Sequence, residues 1–269
     1  KTVYNTVIDD LLAVRNDLAS PKTRSNVYVS QPVADAFLAR VYLYLEDWEN
    51  AEKYSSQVIS QTDYYELVPI SDWLLNKQTK ESIWELAYSS SFSNEYYYYW
   101  QRAGGGRQEI GLSPGLYNLV ISPETGGDRS LLVGDDSTPT ERLLTAKLYW
   151  RDANDDDPSY IFRLAEQYLI RAEARAKRGN TAGAIQDINI IRQRSHVPEY
   201  AGSTAQADVI EAVDQERRIE LAFEPHRWFD LVRTGKAASV LNIDKHYTLF
   251  PIPDNDRLAD SDLVQNEGY

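Results

Sequence analysis

Cysteine and methionine are both absent from this 269-residue chain. Without cysteine there are no disulfides, no thiolate metal ligands, no cysteine nucleophile and no cysteine-held iron–sulfur cluster. Without methionine the chain has no initiator, which predicts a form processed or truncated at its start, with any targeting segment lost. Basic residues are scarce: 28 Lys and Arg against 41 Asp and Glu leave a formal charge of −13. That field repels phosphate backbones and argues against nucleic acid as a partner. Apolar runs are short, none reaching the roughly 18 residues a helix needs to span a bilayer. Phenylalanine is sparse as well, 6 residues beside 19 Tyr and 6 Trp. The skew favours aromatic rings with a polar handle, which suit surfaces where flat apolar faces must also hydrogen-bond.

What is present is helical periodicity. Val3, Val7, Leu11, Val14 and Leu18 recur every three or four residues, and Pro21 ends the pattern. Pro32 suits the first turn of a second helix, with Ala34, Leu38, Val41 and Leu45 as its stripe. Glu46-Asp47 break it, and Ala51, Tyr54 and Val58 mark a third helix. The design returns in Ala165, Leu169, Ala172 and Ala176, then the turn Arg178-Gly179-Asn180, then Ala184, Ile188 and Ile191. Ala39 to Ala51 spans 12 positions, as does Ala172 to Ala184. Small residues at these points let antiparallel helices approach closely, which is the physical content of a tetratricopeptide unit. A further pair is predicted after residue 205, one helix ending near Glu224, another opening at Pro225 and closing at Gly235. The predicted fold is all-α: one domain of tetratricopeptide-like helix-pair repeats (an alpha–alpha superhelix) at 1–61 and 159–240. A long irregular insert fills 62–158 and an irregular segment fills 241–269. β-structure is little, with Ile83–Tyr88 alternating like a short strand. A connection as long as the insert is usually functional.

Three motifs then occur in order. They are Glu220-Leu221-Ala222-Phe223-Glu224-Pro225-His226-Arg227-Trp228-Phe229-Asp230-Leu231, the Phe250-Pro251-Ile252-Pro253 turn, and the final Gln265-Asn266-Glu267-Gly268-Tyr269. Together they resemble the closing signature of the SusD/RagB family. Ala34–Ala51 and Tyr168–Ile191 are similar to that family's helical repeats, so the resemblance covers nearly the whole chain. It implies four tetratricopeptide-like units scaffolding an irregular ligand-binding part, with Glu220, Glu224, Arg227, Trp228 and Asp230 as structural motif residues. It also implies a lipoprotein on the outer face of a bacterial outer membrane. Such proteins cap a SusC-like TonB-dependent transporter and capture oligosaccharides, or in some members peptides, without chemistry and without a cofactor. Family members begin with a lipidated cysteine and further repeat helices. Neither is here, so the chain is expected to be a C-terminal part, attached to the membrane through a lipid outside it. The family usually carries glycine where Pro225 stands, which predicts a stiffer helix start. A plain helical-repeat scaffold for protein partners is the reading that stands beside these.

The sharpest local feature of the insert is Asn94-Glu95-Tyr96-Tyr97-Tyr98-Tyr99-Trp100-Gln101-Arg102. Read as an extended segment, alternate rings face opposite sides, so two or three are exposed. Flat rings stack on the apolar faces of pyranoses, and amide or guanidinium groups hydrogen-bond the hydroxyl rim. Asn94, Tyr96, Tyr97, Tyr98, Tyr99, Trp100, Arg102 and, further on, Trp150 are therefore the candidate glycan contacts. Gly104-Gly105-Gly106 predicts a mobile loop beside them. The other reading is that these aromatics seal the surface of the helical scaffold. Trp73, Trp84 and Trp228 read as core, and Tyr149-Trp150 as either platform or packing.

Other patterns fail on their chemistry. Asp152, Asn154 and Asp156 occupy the first three ligand positions of a calcium loop. Asp157 then stands where glycine is needed and Arg163 where a bidentate glutamate is needed, so a solvated turn is expected. Gly111-Leu112-Ser113-Pro114-Gly115 matches a nucleophile elbow, but the strand–helix alternation that motif requires is missing. Glu216, Glu220 and Glu224 lie four apart beside Arg217 and Arg218. Neighbouring arginines lower carboxyl pKa values, whereas a glycosidase acid needs one raised, so an ion-paired scaffold is predicted. His196, His226 and His246 show no metal-binding spacing, and Gly235-Lys236 is no phosphate loop.

Overall fold

Helix pairs closed by one recurrent turn build the frame. The computed structural model describes residues 2–20, 25–100, 106–149 and 156–269, with the side chain of Tyr97 excepted. The chain divides into two compact units, Lys1–Phe223 and Glu224–Tyr269, a division that falls inside the stretch 159–240 read above as one helical block.

In the first unit, α1 spans Thr2–Val14, α2 Gln31–Tyr44 and α3 Trp48–Ile59. Pro32 sits in the first turn of α2, where its missing N–H costs nothing. Between α2 and α3, Glu46 takes a left-handed φ of 59°, and its N–H donates to the Leu43 carbonyl at 3.2 Å. The next N–H, of Asp47, reaches the Tyr42 carbonyl at 2.9 Å. The Asp47 carboxylate then accepts from Asn50 N at 3.1 Å and so caps α3. The later pair repeats this atom for atom. Between α7 (Leu164–Lys177) and α8 (Thr181–Arg194), Gly179 has φ 85°, Asn180 N donates to Arg175 O at 2.8 Å, and the Asn180 side chain accepts from Gly183 N. Each turn is a Schellman closure of one helix fused to the N-cap of the next. The alanines flagged by spacing, Ala39, Ala51, Ala172 and Ala184, are all fully buried.

α7 is the central helix, packed against α2, α3, α8 and α9 (Gln206–Glu220). Its alanines let these neighbours close in, and its charged positions find partners. Arg40 of α2 grips Glu166 with two bonds of 2.7 Å, and Arg171 and Arg175 both meet Asp187 of α8. α1 forms where a helix was predicted but buries little of its apolar stripe. Only Ile8 is buried, with Val7 and Leu11 packed beside it, while Val3 is 76% exposed.

The insert has more order than its composition suggests. It holds α4 (Ile70–Leu75), β1 (Ser82–Leu86), α5 (Tyr96–Trp100) and α6 (Pro114–Ile121). A 3-10 turn (Gly127–Leu132), β2 (Val133–Asp135) and β3 (Leu144–Ala146) follow. β2 and β3 pair antiparallel, and β1 pairs antiparallel with β4 (Ser159–Arg163), the strand that leads into α7. The start and end of the stretch 87–158 therefore lie side by side. Within the insert, Ile70, Trp73, Val120, Leu132 and Leu148 share a core with Tyr160 of β4 and with Ile219 and Phe223. Apolar side chains spread over short elements build this core, so no helical period announces it.

In the second unit, α10 spans Arg227–Arg233, α11 Ala237–Leu241 and α12 Asp254–Ala259. α9 ends at Glu220, four residues before the predicted boundary, and α10 starts at Arg227 rather than Pro225. The segment between is a run of turns, so Glu224 does not continue the helical face of Glu216 and Glu220. Gly235, at φ 69°, closes α10 as predicted, with Lys236 N reaching Leu231 O at 2.8 Å.

Candidate functional site

The aromatic run forms one turn of helix, not an extended segment. Asn94 sets it. Its Oδ1 accepts from Tyr96 N at 2.9 Å and its Nδ2 donates to the Asp157 carbonyl at 2.7 Å. Asn94 is thus buried and engaged within the protein, whereas the sequence placed it among outward-facing contacts. Beyond the turn the chain comes back alongside it. Arg107 N and Gln108 N both donate to Tyr98 O, at 2.7 and 3.2 Å, and Ile110 N donates to Tyr99 O at 2.9 Å.

A helical turn distributes its side chains around an axis instead of over two faces. Tyr96 remains 46% exposed, its ring 5.1 Å from that of Tyr149. Tyr98 and Tyr99 are half-buried beneath the Arg107 guanidinium, which lies 5.2 and 5.6 Å from their ring centroids. Arg107 also pairs with Glu109 at 3.1 Å. Trp100 turns inward and meets Phe223 edge-on at 6.0 Å, on the margin of the insert's core. Tyr149 is buried in that core, which resolves its double reading in favour of packing. The side chain of Tyr97, with Arg102 and Trp150, lies outside the described residues. The residue that sequence reasoning missed is Arg107, whose only signal was an arginine directly after a glycine run that follows the aromatics.

A cleft of about 400 Å³ adjoins this turn through Gln108. Leu112, Leu143 and Leu144 give it apolar wall, and Glu141 and Arg142 a polar rim. Gln108 has a left-handed φ of 49°, and its Oε1 is buried with no hydrogen-bond partner among the described residues. A buried acceptor left without a donor costs about 1–3 kcal/mol, a cost that a hydroxyl donor arriving in the cleft would remove.

The carboxylates of α9 serve a different purpose. Arg129 binds both Glu216 and Glu220, the latter at 2.8 Å. Arg163 bridges Glu81 to Glu220, and Arg194 does the same from the end of α8. Arg192 adds a contact to Glu216 at 3.0 Å. The scaffold role is as predicted, and these cations come from elements distant in sequence. Burial alone would raise the Glu220 carboxyl. Arg194, Arg129 and Arg163 outweigh it and hold the pKa at about 2. Glu81 goes the other way: burial exceeds the help of Arg194 and Arg163, and its pKa rises. Arg163 also lies over the ring of Trp73, at 4.1 Å, which confirms Trp73 as core. Trp84 is half-buried on β1, facing Phe162.

Ser113 caps α6 by accepting from Leu116 N, a structural task that accounts for its place in the elbow-like motif. Asp152 and Asn154 of the calcium-loop candidate lie outside the described residues, and Asp156 pairs with Lys77. Among the described residues no three His, Cys, Asp or Glu side chains are grouped to hold a metal ion.

The closing motifs of the second unit bind one another. Gln265 acts as a surrogate strand toward Ile252: its Oε1 accepts from Ile252 N at 2.8 Å and its Nε2 donates to Ile252 O at 3.0 Å. Asn266 donates to Phe250 O at 2.7 Å and the Tyr269 hydroxyl to Leu249 O at 2.9 Å. Trp228 packs on Phe250 at 6.1 Å, and Arg233 pairs with the buried Asp230 at 2.8 Å. Glu224 is buried and Arg227 half-buried. Two prolines remove the N–H donors at positions 251 and 253, and side-chain amides supply the missing ladder.

These features define a class: a helical-repeat frame carrying a folded insert with a half-exposed aromatic turn. Residues 138–269 match the SusD family model. SusD-like protein P38 of Formosa agariphila is 38% identical over 96 residues, 32% of this chain and 19% of that protein. Starch-binding protein SusD of Bacteroides thetaiotaomicron is 32% identical over 122 residues, 40% of this chain and 21% of that protein. The aligned part thus spans about a fifth of each curated relative. A putative sugar binding protein from Bacteroides vulgatus shares the fold with a TM-score of 0.82 at 24% identity, over 99% of this chain and 65% of that one. The C-terminal half of the chain is thus similar to the SusD family, and its fold to that of SusD-like proteins.

Proposed function

We propose that this chain is part of a surface protein that captures oligosaccharides without catalysis and delivers them to a SusC-like TonB-dependent transporter in the outer membrane. Attachment of that protein to the membrane through a lipid is part of the same reading. Among the described residues no helix is long and apolar enough to cross a membrane. The observation that carries the reading is the aromatic turn beside a cleft with an unsatisfied acceptor. Tyr96 offers a ring face, Tyr98 and Tyr99 stand under a guanidinium, and Gln108 presents a buried oxygen. Relatives named for starch and sugar binding support a saccharide as the ligand. The carboxylates suited by type to hydrolysis, Glu216 and Glu220, are buried among arginines, which supports binding without bond cleavage.

A glycan array on the full chain, followed by calorimetric titration, tests this. Tyr96→Ala should weaken binding about tenfold, the worth of one stacked ring, and leave the melting temperature unchanged. Saccharides that fail to bind while short peptides do would replace the ligand class. Reducing-sugar release over long incubation would overturn the non-catalytic reading.

A further inference from the structure

The second unit contains a cleft of its own, of about 430 Å³, walled by Lys245, His246, Thr248, Leu249, Glu267 and Gly268. Its two sides are tied by the Tyr269–Leu249 bond described above. Gly268 has φ 99°, and a Cβ there would lie 2.6 Å from His246 Cγ, so glycine is what admits the imidazole. Tyr247 stacks on His246 at 3.9 Å, and Tyr269 stands edge-on to both rings. Both tyrosines are about half exposed, at 49% and 46%. Lys245 and Glu267 are exposed on the cleft, and among the described residues neither side chain has an ion-pair partner.

The charges select the ligand class. An anion would be drawn to Lys245 and repelled by Glu267 and by a net charge of −13. A cation would suit the rings and Glu267 and be repelled by Lys245. A neutral ligand with donors and acceptors along its rim and an apolar face satisfies all of them. Vicinal hydroxyls can donate to the Glu267 carboxylate, a ring or hydroxyl oxygen can accept from Lys245, and the His246 ring and Leu249 side chain on the cleft wall can take the apolar face.

We propose that this cleft is a second saccharide-binding subsite, separate from the aromatic turn and specific for a neutral sugar unit. It rests on the reading of the protein as a glycan-capture module. The chain has three histidines, so ring NMR signals give a direct readout once His246→Gln assigns the one concerned. The probes are hexasaccharides of β-1,3-glucan, α-1,4-glucan, β-1,4-xylan and β-1,4-mannan, titrated to about ten millimolar, a range that fills weak sites. Binding at the aromatic turn is followed in parallel by tryptophan fluorescence. The expected result is a saturable shift of the His246 signal by at least one probe, retained in Tyr96→Ala. Glu267→Gln and Lys245→Gln, both on exposed side chains, should each weaken that shift about tenfold while leaving the fluorescence isotherm unchanged. A probe that binds the aromatic turn and leaves His246 unmoved would overturn the second subsite alone. Probes that move neither signal would overturn both readings. A His246 shift indifferent to Glu267→Gln and Lys245→Gln would also overturn it.

Discussion

Glu46 and Gly179 occupy the same place in two copies of one turn, and only one of them is glycine. A β-carbon in the left-handed region is strained, and that strain exceeds the extra chain freedom glycine brings to the unfolded state. Glu46→Gly should therefore stabilise the protein by about 0.5–1 kcal/mol, seen as a higher denaturant midpoint; a lower midpoint would mean the glutamate side chain has an unrecognised role. The aromatic turn separates in the same way. Trp100→Ala should cost about 2–3 kcal/mol because that ring packs on Phe223, while Tyr96→Ala should cost almost none. Equal losses for the two in thermal melts would undo the assignment. The twelve-residue spacing of alanines and the glycine at the turn were readable from sequence because close packing leaves residue size as its trace. The inward turn of Trp100 was not, because a run of identical aromatics carries no period and Asn94 decides the backbone from outside it.

At the level of elements, the buried ionic cluster joins the 3-10 turn, β4, α8 and α9. Its chemistry was legible and its wiring was not, since the residues that meet are 57 and 91 positions apart. Removing one member leaves arginines buried without their counter-charge, so Glu220→Gln should cost about 3–5 kcal/mol in chemical unfolding at neutral pH. The pH dependence has a definite sign. Glu220 titrates far below its ordinary value in the fold, so its stabilisation is complete above about 4.5 and disappears as pH falls toward 2. The gap between native protein and Glu220→Gln should close over that window. Glu81, with its raised pKa, contributes in the opposite direction: its share of stability is present below the ordinary carboxyl range and declines as pH rises through it. A gap that stays constant from neutrality to acid would show that Glu220 is not ionised in the fold.

For the chain as a whole, the charge of −13 bears on the proposed ligand class. Affinity for a neutral oligosaccharide should change less than about twofold between about 0.02 and 0.5 M salt, because no counter-ions are exchanged. Sulfated or uronate-rich chains should bind poorly at low salt and improve as screening rises. Affinity electrophoresis at several ionic strengths distinguishes these, and tight low-salt binding of a polyanion would contradict the charge argument. The β1–β4 clamp bears on how the proposed ligand choice could change. Entry and exit of the stretch 87–158 are hydrogen-bonded neighbours, so a replacement stretch meets the frame at the same two ends and has to keep the Arg129 ion pairs to α9. Lengthening a closed loop costs only about 0.6 kcal/mol per doubling. Ligand choice can then evolve as a cassette, one contiguous stretch of gene exchanged for another while the helices that carry it are inherited unchanged.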